Sequence, residues 1–255
     1  NLRDPRHPHN NPRHPCDIIM SKHSKWSKIK NQKGAADAKK AAAFTKHIRA
    51  ITVTARHGAD PANNFQLRIA LDAAKTAGVP KDTIDRALSR ASGEAGAEEL
   101  FEVTYEGFAP GKVAIIIEAV ANNKNRTLAN VRHILEKSGG NMAQSGAVAW
   151  QFTRLGVIRL NIKKTDELEL QLIDLGVEDI KEEDGGLTLN TKPENFQKVL
   201  DGLAKMGLKP EYQALEWVPK ERVNISDPEI REKLDTIYEL LDEDDDVQNY
   251  FTNEE

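Results

Sequence analysis

A single cysteine, Cys16, excludes a disulfide within this 255-residue chain and suits a reducing compartment. Aromatics make up only 5% of the residues, so the cores must be modest. No apolar run approaches the roughly 18 residues that a membrane span needs, so we expect no membrane partner and a cytoplasmic protein. Catalytic constellations are missing too. His23, His47, His57 and His133 are dispersed, with neither an HExxH pair nor a Cys–His combination, and nothing assembles a nucleophile, a base and an orienting group. The reading is therefore of a non-enzyme with no metal and no cofactor. Residues 1–19 contain His7, His9, His14 and Cys16, but a proline-rich tail without hydrophobic periodicity is a poor place to build a metal site.

What the chain does have is charge, unevenly placed. The overall balance is −4, yet residues 1–57 carry a net +10, which leaves −14 for the remainder. The excess is concentrated in residues 23–56, HSKWSKIKNQKGAADAKKAAAFTKHIRAITVTAR. Lys25, Lys28, Lys30, Lys33, Lys39, Lys40, Lys46, Arg49 and Arg56 stand there against one acid, Asp37. The second half of this stretch has helical periodicity: Phe44, Ile48, Ile51 and Ala55 form one stripe, with Lys39, Lys46, Arg49 and Arg56 opposite. Burial of the stripe would point the cations outward in a row, suited to nucleic-acid phosphates. Trp26 lies among the lysines, either to stack on a base or to staple an N-terminal arm onto the body.

Length and pattern divide the chain. Residues 1–19 read as a disordered or non-native extension, with Met20 expected to be the true first residue. Residues 20–92 read as a basic helical bundle. Its second helix is expected to be capped by Asp60-Pro61, closed by Gly78 and apolar on two sides as the centre of the bundle; the third starts at Pro80. Residues 98–154 plus 218–255 read as a discontinuous α+β domain, with strands over 100–105, 113–120, 147–152, 222–225 and 247–251, and helices over 128–137 and 227–241. Residues 155–217 read as an inserted βαββαβ unit. The expected fold class is α+β multidomain: an N-terminal three-helix bundle followed by two α+β, ferredoxin-like domains, the third inserted into the second.

Four stretches invite a functional reading. Gly107-Phe108-Ala109-Pro110-Gly111-Lys112 looks superficially like a phosphate loop, but it lies between strands and reads as a turn. Residues 122–127, NNKNRT, precede an expected helix capped by Thr127. Its N-terminus favours anions, which would make Lys124 and Arg126, with Arg132 one turn on, a second phosphate contact or merely a capped, solvated loop. Gly139-Gly140-Asn141-Met142-Ala143-Gln144-Ser145-Gly146 reads as a flexible stretch in which Gly139, Gly140, Asn141, Ser145 and Gly146 would order on a partner, or as a helix stop and turn. The acids 182–184 and 242–246 are contiguous runs without ligand spacing, so they read as solvated loops.

The basic N-terminal segment, DPANNFQLRIALDAAKTAGVPKDTIDRAL, YEGFAPGKVAIIIE, NKNRT, GGNMAQSGAVAWQF, WVPKERV and DDDVQNYFTN together resemble the YebC/PmpR family over essentially all of residues 21–255. The resemblance implies a three-domain protein without known catalysis, described in bacteria as a DNA-binding transcriptional regulator. Other members look like translation factors, including a mitochondrial translational activator and proteins thought to help ribosomes through proline-rich stretches. It also implies that residues 139–146 are a family hallmark, and that Lys112 departs from a usual glycine. Expected partners are thus DNA, or ribosomal or transfer RNA on the ribosome, with protein partners through the acidic domains.

Overall fold

The computed structural model describes residues 37–91 and 99–255, with side chains in the first helix from Ala43 onward. Three helices come first: α1 (Asp37–Arg56), α2 (Phe65–Thr76) and α3 (Lys81–Ala91). Ile51 and Ala55 of α1 bury against Leu67, Ala70, Leu71 and Ala74 of α2 and Ile84 and Ala87 of α3. A side chain as fully buried as Ile51 or Leu67 stabilises this core by about 1.5–3 kcal/mol.

Two expectations for α2 are corrected. Its cap is Asn64, whose side chain accepts from the Leu67 N–H, because Asp60 is occupied four residues earlier in a turn, accepting from the Ala62 N–H at 2.9 Å. Its second apolar side is not buried within a bundle. Phe65 and Ile69 instead pack on the inserted domain, where the Phe65 ring meets Phe196 edge-on.

The middle domain is a four-stranded sheet in the order β3-β1-β2-β8, formed by β1 (Phe101–Ala109), β2 (Val113–Ala121), β3 (Asn141–Met142) and β8 (Val247–Thr252). Helices α4 (Lys124–Lys137) and α7 (Pro228–Glu243) cover one face. They set Val131, Leu135, Leu234, Ile237 and Leu241 on Val113, Ile115 and Ile117. The other face buries Ala114, Ile116 and Phe251 against Val148 and Phe152. Covered on both sides, β2 is the run VAIIIEAVA, apolar at every position but Glu118.

Here too the structure departs from expectation. β1 continues through Glu106 to Ala109, because its hairpin with β2 stays in register to Ala109↔Val113. Residues 147–152 are not a third strand: Ala149–Gln151 is a short 3-10 turn, and β3 takes that edge of the sheet instead. Around residues 222–225 only an isolated bridge, Val223↔Glu254, forms.

The inserted unit runs β4 (Phe152–Leu160), α5 (Asp166–Leu175), β5 (Val177–Glu183), β6 (Gly186–Thr191), α6 (Phe196–Lys205) and β7 (Tyr212–Pro219). Its order β5-β6-β4-β7, antiparallel throughout, is the ferredoxin-like arrangement. Strand β4 crosses residues 154 and 155 without a break and pairs with β7 along its length. Glu118 of β2 joins the two sheets: it accepts from Trp217 Nε1 at 3.1 Å and Asn249 Nδ2 at 3.2 Å, and pairs with Arg154 at 2.6 Å.

Candidate nucleic-acid interface

Lys25, Trp26, Lys28, Lys30 and Lys33 lie outside the described residues, as does the side chain of Lys39. Lys46, Arg49 and Arg56 of α1 do not form the outward row that the helical stripe suggests. Lys46 donates its ammonium to the carbonyl of Asp242 at 2.7 Å and of Leu241 at 3.4 Å. Arg49 donates to the carbonyls of Asp245 at 2.9 Å and Val120 at 3.5 Å and forms an ion pair with Asp246. Arg56 donates to the carbonyl of Leu100 at 2.7 Å. The physical reason is that Val53, between these cations, packs with Leu100 and Val120 and so turns this side of α1 onto the middle domain. Burial pulls the Lys46 ammonium below the ordinary lysine range, against the opposing field of Asp242, Asp244 and Asp245.

The same acidic segment receives the second expected site. Residues 124–127 are not a loop: α4 already begins at Lys124, capped by Asn123, whose side chain accepts from the N–H groups of Asn125 and Arg126. Thr127 is therefore no cap but a buried residue inside the helix, and its hydroxyl donates to Asp246 at 2.6 Å. Arg126 pairs with Asp246 at 3.0 Å. Lys124 lies over the Phe101 ring at 4.4 Å, and Arg132 is exposed further along the helix. The structure thus brings Lys46, Arg49 and Arg126 to the one segment 241–246, with Lys124 on Phe101, whereas the sequence suggests two sites.

Asp246 was hidden in the acidic run read as solvated. It is 3% exposed. Burial opposes its charge, but hydrogen bonds from Thr127, Arg126 and Arg49 outweigh that and hold its carboxyl below the usual range. Nothing local in DEDDD marks the last acid out; only its place at the entry to β8 hints that it must be covered.

The Gly-rich stretch is organised rather than loose. Asn141 pairs with Phe108 as part of β3, and Gly139 and Gly146 both take left-handed backbone conformations. Gly140 packs on the β1 backbone, and Ser145 is exposed. Glu106, which the sequence reading passed over, anchors the far end: its buried carboxylate accepts from the N–H groups of Gly146, Val148 and Ala149 at 2.6–2.8 Å. Burial disfavours that charge, but the three N–H donors overcome it and hold the carboxyl below its ordinary value. The stretch leads to Trp150, which is 67% exposed.

Among the described residues, no group of three or more His, Cys, Asp or Glu side chains is placed to hold a metal ion. No helix among them is long and apolar enough to cross a membrane.

Comparison with known proteins covers nearly the whole chain. Residues 24–94 match the TACO1/YebC protein N-terminal domain, and residues 100–254 match the TACO1/YebC second and third domain. Proteins from Kosmotoga olearia (44% identical, covering 92% of this chain and 94% of the relative) and Deinococcus radiodurans (45% identical, covering 92% and 96%) are each named a probable transcriptional regulatory protein. The crystal structure of a conserved hypothetical protein from Aquifex aeolicus superposes with a TM-score of 0.79 at 38% identity, covering 91% of this chain and 97% of that one. Bundle, split middle domain and ferredoxin-like insertion therefore come with a sequence that matches over residues 24–94 and 100–254, and the chain belongs to the TACO1/YebC family.

Proposed function

We propose that this protein is a non-enzymatic nucleic-acid-binding regulator of gene expression that binds DNA and acts on transcription, the process the names of its relatives refer to. The observation that carries this reading is the charge of residues 23–56: nine Lys/Arg against one acid, on a chain whose remainder is strongly acidic. Such a segment gains affinity for a polyanion by releasing condensed counterions, while the acidic body suppresses adhesion elsewhere. Lys25, Lys28, Lys30, Lys33 and Lys39, with Trp26 among them, supply the contact, and Lys124, Arg126 and Arg132 extend it along α4. Lysines on phosphate give affinity rather than base selectivity.

A second reading, an RNA-binding translation factor on the ribosome, is favoured by the bundle itself. α1 and α2 each spend a face on the body. The outer face of α3 mixes Lys81, Asp82, Asp85, Arg86 and Arg90, all exposed, and offers no continuous cationic stripe to a DNA groove. Crosslinking in cells followed by sequencing of the attached nucleic acid decides between them. Chromosomal fragments support the first reading and ribosomal or transfer RNA the second. Recovery no greater than from a variant with Lys28, Lys30, Lys33 and Lys39 changed to Glu refutes both.

A further inference from the structure

Three groups from two distant parts of the chain converge on Asp246: the guanidinium of Arg49 on one carboxylate oxygen, and on the other the adjacent Arg126 Nη2 at 3.0 Å and Thr127 Oγ1 at 2.6 Å. Two guanidiniums and a hydroxyl in the first turn of a helix make the surroundings that a phosphate group seeks. Along α1 the next cation, Lys46, is drawn to the same segment through the carbonyls of Leu241 and Asp242. The most cationic described helix is thus held at the most acidic run of the chain, its cations donating to backbone carbonyls there and to the Asp246 carboxylate.

We propose that residues 242–246 stand in for a nucleic-acid backbone, and that a phosphodiester of the ligand exchanges with the Asp246 carboxylate on Arg49 and Arg126, releasing α1 from the middle domain. This rests on the nucleic-acid reading above and adds its regulation. The accessibilities suit an exchange: the Arg126 side chain is 50% exposed and that of Arg49 19%, while the carboxylate between them is covered at 5%. An incoming phosphate reaches the guanidiniums from solvent before Asp246 has left. The described apolar contact on this side of α1 is small, Val53 with Leu100 and Val120. Across this seam Arg49 pairs with Asp246, while Lys46, Arg49 and Arg56 also donate to the carbonyls of Leu241, Asp242, Asp245, Val120 and Leu100, and these bonds must yield with the ion pair for α1 to leave. Ligand binding and opening become one linked equilibrium, and the closed state lowers the apparent affinity by the fraction of molecules it occupies.

Asp246→Asn keeps the shape of the side chain and removes its charge. In anisotropy titrations of the full chain with labelled duplex DNA and labelled single-stranded RNA at fixed salt, this variant is expected to bind about three- to tenfold more tightly than the wild type. Adding Arg49→Gln should cancel the gain. Equal or weaker binding by an Asp246→Asn protein that still melts cooperatively overturns the exchange, as does a gain that survives Arg49→Gln. Should the variant fold poorly, hydrogen exchange of the wild-type protein with and without the same probes gives an independent answer. Faster exchange in residues 242–248 on binding supports the proposal, and unchanged or slower exchange overturns it. If the wild type binds neither probe, the functional reading falls and the exchange with it. If it binds but Asp246→Asn changes nothing, only the exchange falls.

Discussion

Phe65 of the helical bundle meets Phe196 of the inserted domain with ring centroids 5.2 Å apart and planes at 80°. Residues 131 positions apart thereby couple the first and last folding units of the chain directly, without the middle domain between them. Phe196 is fully buried, so Phe196→Ala should destabilise the protein by about 3–5 kcal/mol in urea unfolding. Phe65→Leu should cost less, and a double-mutant cycle between the two should return a coupling of about 0.5–1.5 kcal/mol. Additive effects would show that the contact is incidental.

Gly156 is what admits that ring. A Cβ at this position would lie 2.3 Å from the Phe196 ring, closer than any real contact. Gly156→Ala is expected to destabilise by about 1–3 kcal/mol, and the loss should shrink when Phe196 is shortened to Leu. Thermal melts of the single and double variants check this.

The turn between β1 and β2 carries a correctable strain. Gly111 and Lys112 both take left-handed backbone angles, φ 74° and 61°. Glycine does so without penalty, whereas lysine pays for its Cβ. Lys112→Gly should therefore stabilise by about 1 kcal/mol, as a higher urea midpoint with unchanged slope. Replacing Gly111 by Ala should do the opposite, since its Cβ would press on Ile225 at 2.9 Å.

Acid should loosen the Gly-rich stretch. The Glu106 carboxyl is held below its ordinary value in the folded state, so its contribution is present above the unfolded-state pKa of about 4.3 and is lost as pH falls through the lower folded value. Asp246 contributes with the same sign. Glu106→Gln should be clearly less stable than the wild type at neutral pH, with the gap closing on acidification. A gap that is independent of pH would mean that the carboxylate charge is not what holds the Gly146–Ala149 turn.

Much of the fold was legible because its signals are local. Helix α5 carries its signals at its own ends: Thr165 caps it, and Gly176 closes it in a left-handed conformation. The apolar run of β2 declared a strand, though not that both of its faces are covered. What failed needed partners far along the chain. Choosing among oxygen-bearing residues for a cap depends on what else wants them: Thr127 is claimed by Asp246, which leaves Asn123 to cap α4. Glu106 looks like any strand acid until a loop forty residues later folds over it. The basic stripe of α1 was visible, but not its destination, because the carbonyls of Leu241, Asp242 and Asp245 and the carboxylate of Asp246 that receive Lys46 and Arg49 lie more than 190 residues away.

The path of β4 and β7 carries one more implication. The inserted domain leaves the middle domain at Phe152 and returns at Pro219, and these residues face each other as paired strand neighbours, with the Lys220 N–H donating to the Gln151 carbonyl at 2.9 Å just outside them. Topologically the whole ferredoxin-like unit is the loop of one long hairpin. Its two necks sit side by side, so twisting about a single connecting strand is blocked, and a tight turn of a few residues would suffice to close the gap were the unit cut away.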